Sequence, residues 1–124
     1  MEILYTVSGK VRKGKSQGKA LGFPTANIAL NKEIPEGIYA STLVVNGKIY
    51  NAVSFVGSAK TFKRNDVNVE TYIMDFEGDL YGRWISVKLH KFLRGNETFS
   101  STDTLIEQMN EDILDAEDFF NEEN

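Results

Sequence analysis

The fold is decided by residues 38–56, which read IYASTLVVNGKIYNAVSFV. Residues 38–45 are rich in β-branched and aromatic side chains, a composition that favours a strand. Asn46-Gly47 follows, the strongest short hairpin signal, because a type I′ turn needs positive φ at both of its central residues. Residues 48–56 return as the partner strand, so the stretch predicts an antiparallel hairpin.

Strands are also predicted on both sides of this hairpin. One covers residues 3–8 and 11 with Gly9 interrupting it, and another covers residues 67–76, where side chains alternate with a period of two. A third covers residues 80–93 and alternates in the same way. Several short antiparallel strands in so short a chain indicate a closed or nearly closed β-barrel, because closure removes exposed sheet edges.

A helix is predicted near the C-terminus, over about residues 102–120. Ser100 or Ser101 can cap its start by accepting a backbone N–H bond. Its apolar face is formed by residues three and four positions apart, namely Leu105, Met109, Ile113, Ala116 and Phe120. This face is expected to pack on the barrel.

The length of the chain, 124 residues, suits one domain. We therefore expect a single all-β domain over residues 1–124, a β-barrel with a C-terminal α-helix. The barrel is expected over about residues 3–93, a loop over 94–101, and the helix after that loop. A chain of this size can bury one hydrophobic core without disulfide staples.

Composition excludes several kinds of chemistry. The chain has no Cys and one His, which excludes thiolate metal sites, a cysteine nucleophile and any multi-histidine metal site. The one histidine, His90, falls on the polar face of its strand and is expected to be exposed.

Apolar runs are only a few residues long and no signal-like stretch follows Met1, so we expect a cytoplasmic protein that does not enter a membrane.

The charges are separated along the chain. The net charge is −4, and residues 103–124 hold nine acids and no base. Residues 9–19 hold no acid and five bases, which are Lys10, Arg12, Lys13, Lys15 and Lys19. Residues 10–27 contain glycines and a proline without a helical period, so they predict a basic loop that binds a local anion.

Residues 9–16 match the P-loop pattern, but no βαβ unit accompanies them and the following glycines do not suit a helix.

Pro24-Thr25-Ala26-Asn27 is a candidate cation site. Thr25 and Asn27 lie two residues apart, so on a strand they share a face. Hydroxyl and amide oxygens suit Mg²⁺ that is bound together with nucleotide phosphates. An ordinary strand start after a proline explains the same residues equally well.

Glu70 is a candidate general base. It shares a predicted strand face with Tyr72 and Met74, an unusual setting for a carboxylate. A carboxylate placed in this way can accept a proton from a hydroxyl substrate. The alternative is a solvated glutamate on the outer face of the barrel, and the pattern by itself favours that alternative.

Taken together, these residues resemble the riboflavin kinase (flavokinase) family over nearly the whole chain, from about Tyr5 to Phe119. The resemblance rests on four ordered blocks, which are Gly9-x-Val11-x-x-Gly14 through Gly18 and Gly22 to Pro24-Thr25-Ala26-Asn27, then Pro35-Glu36-Gly37-Ile38-Tyr39-Ala40, then Val69-Glu70-Thr71 with residues 75–82, and finally Phe92-Leu93-Arg94 with Phe99, Leu105 and Asp112. It implies a six-stranded antiparallel Greek-key barrel with a C-terminal helix. It also implies ATP-dependent phosphorylation of riboflavin at its 5′-hydroxyl, giving FMN and ADP.

The resemblance also implies roles for individual residues. The nucleotide would be bound by Gly14, Lys15, Gly18, Lys19, Gly22, Pro24, Thr25 and Asn27. Thr25 and Asn27 would hold Mg²⁺, or another divalent cation, together with the phosphates of ATP. Glu70 would accept the proton of the riboflavin hydroxyl. The flavin would lie along the loop 94–101, contacted by Arg94, Phe99 and Leu105.

Two departures from the family pattern leave alternatives open. Residues 55–62 lack the usual proline, and Tyr72 stands where the family usually has a histidine. A non-catalytic flavin- or nucleotide-binding module on the same fold is therefore one alternative. An oligonucleotide-binding β-barrel is another, but the pI near 5.0 argues against nucleic acid as a partner. Bacterial relatives commonly join this kinase to an FAD synthetase (adenylyltransferase) domain, which is therefore an expected partner in a longer natural chain.

Overall fold

A computed structural model describes residues 1–12, 24–58 and 67–123. Within these residues the elements in chain order are β1 (Tyr5–Lys10), β2 (Thr25–Ala29), β3 (Gly37–Val45), β4 (Lys48–Ser58), β5 (Val67–Ile73), β6 (Trp84–Arg94) and the helix α1 (Thr102–Glu123). No helix in this described part of the chain is both long enough and apolar enough to cross a membrane.

The hairpin predicted from Asn46-Gly47 is present. β3 and β4 pair antiparallel, and their last pair before the turn is Val45 with Lys48. Asn46 and Gly47 have φ angles of 50° and 81°. Positive φ at both positions is what a type I′ turn requires, so the prediction is confirmed.

The strands form one antiparallel sheet in the order β1-β6-β3-β4-β5-β2. β3, β4 and β5 are successive neighbours and β6 returns beside β3, which is a Greek key. Just past β1, Arg12 forms an isolated antiparallel bridge to Asn27 of β2. The two edges of the sheet therefore meet, and the predicted six-stranded, nearly closed barrel is confirmed.

The interior of the barrel is mainly apolar, and a row of three hydrogen-bonded hydroxyl groups crosses it. Each strand contributes a side chain that is almost fully buried, among them Val7, Ile28, Leu43, Val56, Val69 and Val87. The hydroxyls of Ser41, Ser54 and Thr71 form a chain across β3, β4 and β5, with both oxygen–oxygen distances at 2.8 Å. Buried polar groups are tolerated when they are hydrogen-bonded, and these three satisfy one another.

Helix α1 packs on the outside of the barrel through its predicted apolar face. Ala116 and Phe120 are buried in a second cluster together with Ile38, Ala40 and Val53 of β3 and β4. At the start of the helix, the Oγ of Ser101 accepts a bond from the backbone N–H of Thr104 at 3.2 Å. The structure thus confirms both the helix and its serine cap.

One acid of the acid-rich helix is buried instead of solvated. Asp112 accepts two bonds from the guanidinium of Arg94, with Nε–Oδ1 at 2.7 Å and Nη2–Oδ2 at 2.8 Å, and a third from Gln108 at 3.0 Å. The hydrogen bond to Asp112 raises the pKa of Arg94 above its ordinary value. This ion pair connects the end of β6 to the middle of α1.

β2 begins inside the stretch 10–27 that the sequence pattern predicts as a loop, so that prediction was wrong for residues 25–27. It was also wrong at the other end, because β1 continues without interruption through Gly9 to Lys10. β2 reads TANIA and contains one large apolar residue, Ile28, so it has little strand preference of its own. All five residues pair with β5, from Thr25 opposite Tyr72 to Ala29 opposite Asn68. Pairing with a neighbour, not local propensity, therefore forms this strand.

The predicted strands were also too long on one side of the barrel. β5 ends at Ile73 and β6 begins at Trp84, whereas the alternation predicted strands over residues 67–76 and 80–93. Asp75 has a φ of 58°, a left-handed conformation that cannot continue a strand. The chain therefore turns earlier than its side-chain pattern suggests.

His90 is buried, so the prediction of an exposed histidine was wrong. Its side chain is 8% exposed. Nε2 lies 2.7 Å from Oγ1 of Thr42, and Nδ1 lies 2.7 Å from the carbonyl oxygen of Glu2. The N-terminal segment covers this part of the outer face, and such long-range covering leaves no mark on strand periodicity.

Gly37 is a position where the fold needs glycine. Its φ is 153°, and an added Cβ would lie 2.5 Å from Cε1 of Phe92 and 2.6 Å from the carbonyl oxygen of Arg94. We expect Gly37→Ala to lower the free energy of unfolding by about 2–4 kcal/mol, measured in urea. Gly95→Ala is the control, because its Cβ would meet no described atom within 4 Å. A difference between the two variants below about 0.5 kcal/mol would contradict the steric argument.

Removal of the buried charge of Asp112 should weaken the attachment of α1. The side chains of Arg94 and Asp112 are 18% and 6% exposed, so Asp112→Asn leaves a largely buried guanidinium without its counter-charge. We expect a loss of about 2–4 kcal/mol in the free energy of unfolding. Asp118→Asn changes an exposed acid of the same helix and should cost less than about 0.5 kcal/mol. Equal losses for the two variants would show that the ion pair contributes nothing specific.

Candidate active site

A row of side chains crosses the outer face of the barrel from one edge strand to β6. The strand registers place Asn27 opposite Glu70, Glu70 opposite Phe55, Phe55 opposite Ile38, and Ile38 opposite Arg94. The bridge at the seam of the barrel adds Arg12 opposite Asn27. Directly opposed residues in antiparallel strands project from the same face of the sheet. The row therefore carries the predicted cation ligand, the predicted base and the predicted flavin contact.

Thr25, Asn27 and Glu70 are brought together at one end of this row. Thr25 and Asn27 alternate with the buried residues Ala26 and Ile28, so both project from the outer face. Asn27 lies directly opposite Glu70, and Thr25 lies opposite Tyr72. The sequence prediction that Thr25 and Asn27 share a strand face is confirmed.

Asn27 has the property expected of a cation ligand. Its side chain is 6% exposed, and its Oδ1 is buried with no hydrogen-bond partner among residues 1–12, 24–58 and 67–123. A buried acceptor left unpaired costs about 1–3 kcal/mol, so such an atom calls for an explanation. A hard cation such as Mg²⁺ binds neutral oxygens of this kind and completes its shell with phosphates and water. Residues 1–12, 24–58 and 67–123 contain no cluster of three acids or histidines that offers a competing metal site.

Glu70 is half-buried at the centre of the site. On β5 it alternates with the buried residues Val69 and Thr71, and across the sheet it lies between Asn27 and Phe55. Tyr72 and Met74 belong to the cluster on the same outer side, as the sequence predicted. A carboxylate between a cation ligand and an aromatic ring is well placed to accept a proton from a substrate bound between them.

At the other end of the row, Arg94 and Phe99 are brought together. The guanidinium carbon of Arg94 lies 5.8 Å from the centre of the Phe99 ring, a cation–π distance. Its Nη1 also donates to the carbonyl oxygen of Gly95 at 2.9 Å. With Asp112 on its other side, Arg94 is held in one orientation. Leu105 is half-buried in the first turns of α1, and its role toward a flavin stays a prediction.

Several predicted nucleotide contacts lie outside the described residues. These are Gly14, Lys15, Gly18, Lys19 and Gly22. The atypical segment 55–62 is described only as far as residue 58. Pro24 is described and is exposed immediately before β2.

Sequence reasoning gave no role to two residues at this site, Arg12 and Asp112. Arg12 appeared only as one of five bases, because nothing local shows that it pairs with Asn27. Asp112 carried a usable signal: it is seven residues after Leu105 and four before Ala116, which places it on the apolar face of the helix. An acid on an apolar face indicates a buried partner.

Comparison with known proteins gives one consistent result. Residues 1–120 match the family Flavokinase, riboflavin kinase. The bifunctional riboflavin kinase/FMN adenylyltransferase of Listeria monocytogenes is 37% identical over 120 residues, which are 94% of this chain and 38% of that protein. The trifunctional protein RibF/MnmA of Mycoplasmoides gallisepticum is 35% identical over 122 residues, 96% of this chain and 19% of that protein. The chain thus spans well under half the length of these curated relatives.

Solved structures agree on the fold. The riboflavin kinase of Trypanosoma brucei matches with a TM-score of 0.66 and 24% identity, covering 94% of this chain and 76% of that one. A macrolide-efflux protein from Streptococcus pneumoniae matches with a TM-score of 0.77 and 31% identity, covering 86% of this chain and 36% of that one. Since the family match covers all but the last four residues, the chain belongs to the riboflavin kinase family.

Proposed function

We propose that this chain transfers the γ-phosphoryl group of ATP to the 5′-hydroxyl of riboflavin, giving ADP and FMN. The observation that carries this proposal is the row across the outer face, in which Glu70 lies between Asn27 and the Arg94 end. Phosphoryl transfer needs a site for the phosphates and their metal, a site for the acceptor, and a group that orients the attacking oxygen between them. In our proposal the Asn27 end of the row binds the phosphates and their metal, the Arg94 end binds the acceptor, and Glu70 between them orients the attacking oxygen.

Thr25 and Asn27 form the phosphate end of the site. In our proposal they hold Mg²⁺, or another divalent cation, together with the phosphates of ATP. This assignment is supported by the buried Oδ1 of Asn27, which is unpaired as far as the described residues go. The bound cation would neutralise charge on the phosphates. We assign Gly14, Lys15, Gly18, Lys19, Gly22 and Pro24 to the covering of the nucleotide.

Arg94, Phe99 and Leu105 form the acceptor end. Glu70 on β5 and Arg94 on β6 are three strands apart, and neighbouring strands are spaced by ~4.8 Å, so the two residues are separated by roughly 14 Å across the strands. This span suits an elongated acceptor that has an aromatic ring system at one end and its reacting hydroxyl at the other. Riboflavin has that shape, because its primary hydroxyl ends a five-carbon chain attached to three fused rings. Phe99 and Leu105 offer the rings apolar contact, and Arg94 offers a polar edge.

Glu70 acts on the reacting hydroxyl. As the 5′-oxygen attacks the γ-phosphorus, the bond from that phosphorus to the leaving oxygen of ADP breaks and the hydroxyl proton passes to Glu70. The reaction requires neither Cys nor His, so the composition of the chain permits it. Its use of ATP suits a cytoplasmic location, which we include in the proposal. The Listeria relative is a bifunctional riboflavin kinase/FMN adenylyltransferase, and FMN formed here would be the substrate of such a partner domain.

Glu70→Gln tests the proposed base. The amide keeps the size of the side chain but cannot take the proton, so we expect kcat for FMN formation to fall about 10²–10⁴-fold. Glu77→Gln, which changes an exposed acid on the turn after β5, should leave kcat unchanged. FMN is measured by chromatography after incubation with riboflavin, ATP and Mg²⁺. If kcat of Glu70→Gln is within threefold of wild type, Glu70 is not the base. If the wild-type protein binds riboflavin but forms no FMN, the chain is a non-catalytic binding module.

Asn27→Leu should separate function from stability. The substitution removes a buried oxygen that has no hydrogen-bond partner in the described part of the chain, so the free energy of unfolding without metal and nucleotide should stay level or rise by about 1 kcal/mol. The Mg²⁺ concentration needed for half-maximal activity should rise at least about tenfold, as for loss of a metal-site group.

Ser54→Ala is the control for Asn27→Leu, because it removes a buried hydroxyl that has two hydrogen bonds at 2.8 Å. It should cost about 1–3 kcal/mol of stability. If Asn27→Leu costs as much and leaves the Mg²⁺ requirement unchanged, Asn27 is a structural residue and not a cation ligand.

A further inference from the structure

Arg12 lies at the phosphate end of the row and is one of the five bases of the predicted anion-binding loop. Its backbone N–H donates to the carbonyl oxygen of Asn27 at 2.9 Å, which fixes Arg12 beside the candidate cation ligand. Its Nη2 donates to Oδ1 of Asn68 at 2.7 Å. Asn68 lies two residues before Glu70 on β5 and therefore projects from the same face. The guanidinium is thus held over the face that carries Asn27 and Glu70.

Arg12 and Arg94 differ in whether a nearby carboxylate balances the charge of the guanidinium. Arg94 is neutralised by a bidentate ion pair with Asp112. Arg12 is exposed, its side-chain hydrogen bond goes to a neutral amide, and no carboxylate in residues 1–12, 24–58 or 67–123 forms an ion pair with it. A guanidinium that is oriented by a neutral partner keeps its full charge and its remaining N–H groups for an anion.

We propose that Arg12 is a positioning residue that binds the phosphate chain of the nucleotide, with Asn68 orienting its guanidinium. This inference rests on the proposed function of the same site. Asn68 takes one N–H of Nη2, and in our proposal other N–H groups of the guanidinium donate to phosphate oxygens. Arginine suits this task because its planar fork offers charged donors in the geometry of a phosphate group. In this proposal Arg12 does not contact the adenine or the ribose of the nucleotide.

The experiment measures ADP and adenosine binding by calorimetry in the absence of riboflavin. Arg12→Gln should weaken ADP binding about 10–100-fold, the range expected for loss of a charge-assisted contact, and should leave adenosine binding unchanged. Arg12→Lys should fall between wild type and Arg12→Gln, because it keeps the charge but loses the fork. Asn68→Ala should weaken ADP binding less than Arg12→Gln does.

Arg83→Gln is the matched control. The Arg83 backbone pairs with Val11, next to Arg12, but its Nη2 donates to Oδ1 of Asn46 at 3.1 Å, in the turn between β3 and β4. The overall charge change is the same, so Arg83→Gln should leave ADP affinity within about twofold of wild type, because its guanidinium is bound at the β3–β4 turn and an exposed charge that makes no direct contact contributes little.

The outcomes separate this inference from the proposed function. Arg12→Gln with wild-type ADP affinity would overturn the inference and leave the proposed function intact. Equal losses for ADP and adenosine would also overturn it, because they indicate a structural effect. A wild type that binds neither ADP nor ATP would overturn the proposed function and this inference together. A lower thermal midpoint for Arg12→Gln with unchanged ADP affinity would assign Arg12 to the closure of the barrel alone.

Discussion

The site depends on the register between β2 and β5. Asn27 stands opposite Glu70 and Thr25 opposite Tyr72, while Ala26 and Ile28 project into the barrel. A slip of one residue would exchange the two faces of β2 and bury Asn27 in the apolar interior. The small Ala26 and the apolar Ile28 resist that exchange, because an amide in the interior would lack partners. The hydrophobic alternation of β2 therefore fixes the geometry of the chemistry as well as the fold.

The buried polar groups of the sheet are of two kinds, those that stabilise the fold and one that is proposed to bind a ligand. The hydroxyls of Ser41, Ser54 and Thr71 satisfy one another inside the barrel and stabilise it. On the outer face, the Oδ1 of Asn27 is buried and has no partner among the residues that the structure describes, and an unpaired buried acceptor lowers stability. Proteins retain such costs mainly where a ligand relieves them. This contrast distinguishes a structural polar group from one proposed to bind a cation, although both are buried on strands of the same sheet.

Features set by neighbouring residues could be predicted from the sequence. The β3–β4 hairpin follows from Asn46-Gly47, whose positive φ angles are local requirements. The apolar face of α1 follows from spacings of three and four residues. β2 could not be predicted in this way, because its strand character comes from β5, some forty residues away. His90 was missed for the same reason, since its burial depends on Glu2. Asp112 could have been recognised from its place on the apolar face of α1, but its partner Arg94 is distant in the sequence. Only a family resemblance, which carries long-range information, indicated all six strands and grouped the site residues.

The two arginines at the ends of the row show how partners decide the use of one residue type. Arg94 is neutralised by Asp112, so its main contribution is to fix the end of β6, the Phe99 ring and α1 relative to one another. A guanidinium whose charge is balanced within the protein gives little attraction to a further anion. Arg12 is oriented by the neutral Asn68 and keeps its charge, which suits it to the end of the row where phosphates are proposed to bind. The difference between the two arginines supports the proposed arrangement, with the phosphates at the seam of the barrel and the aromatic acceptor at the Arg94 end.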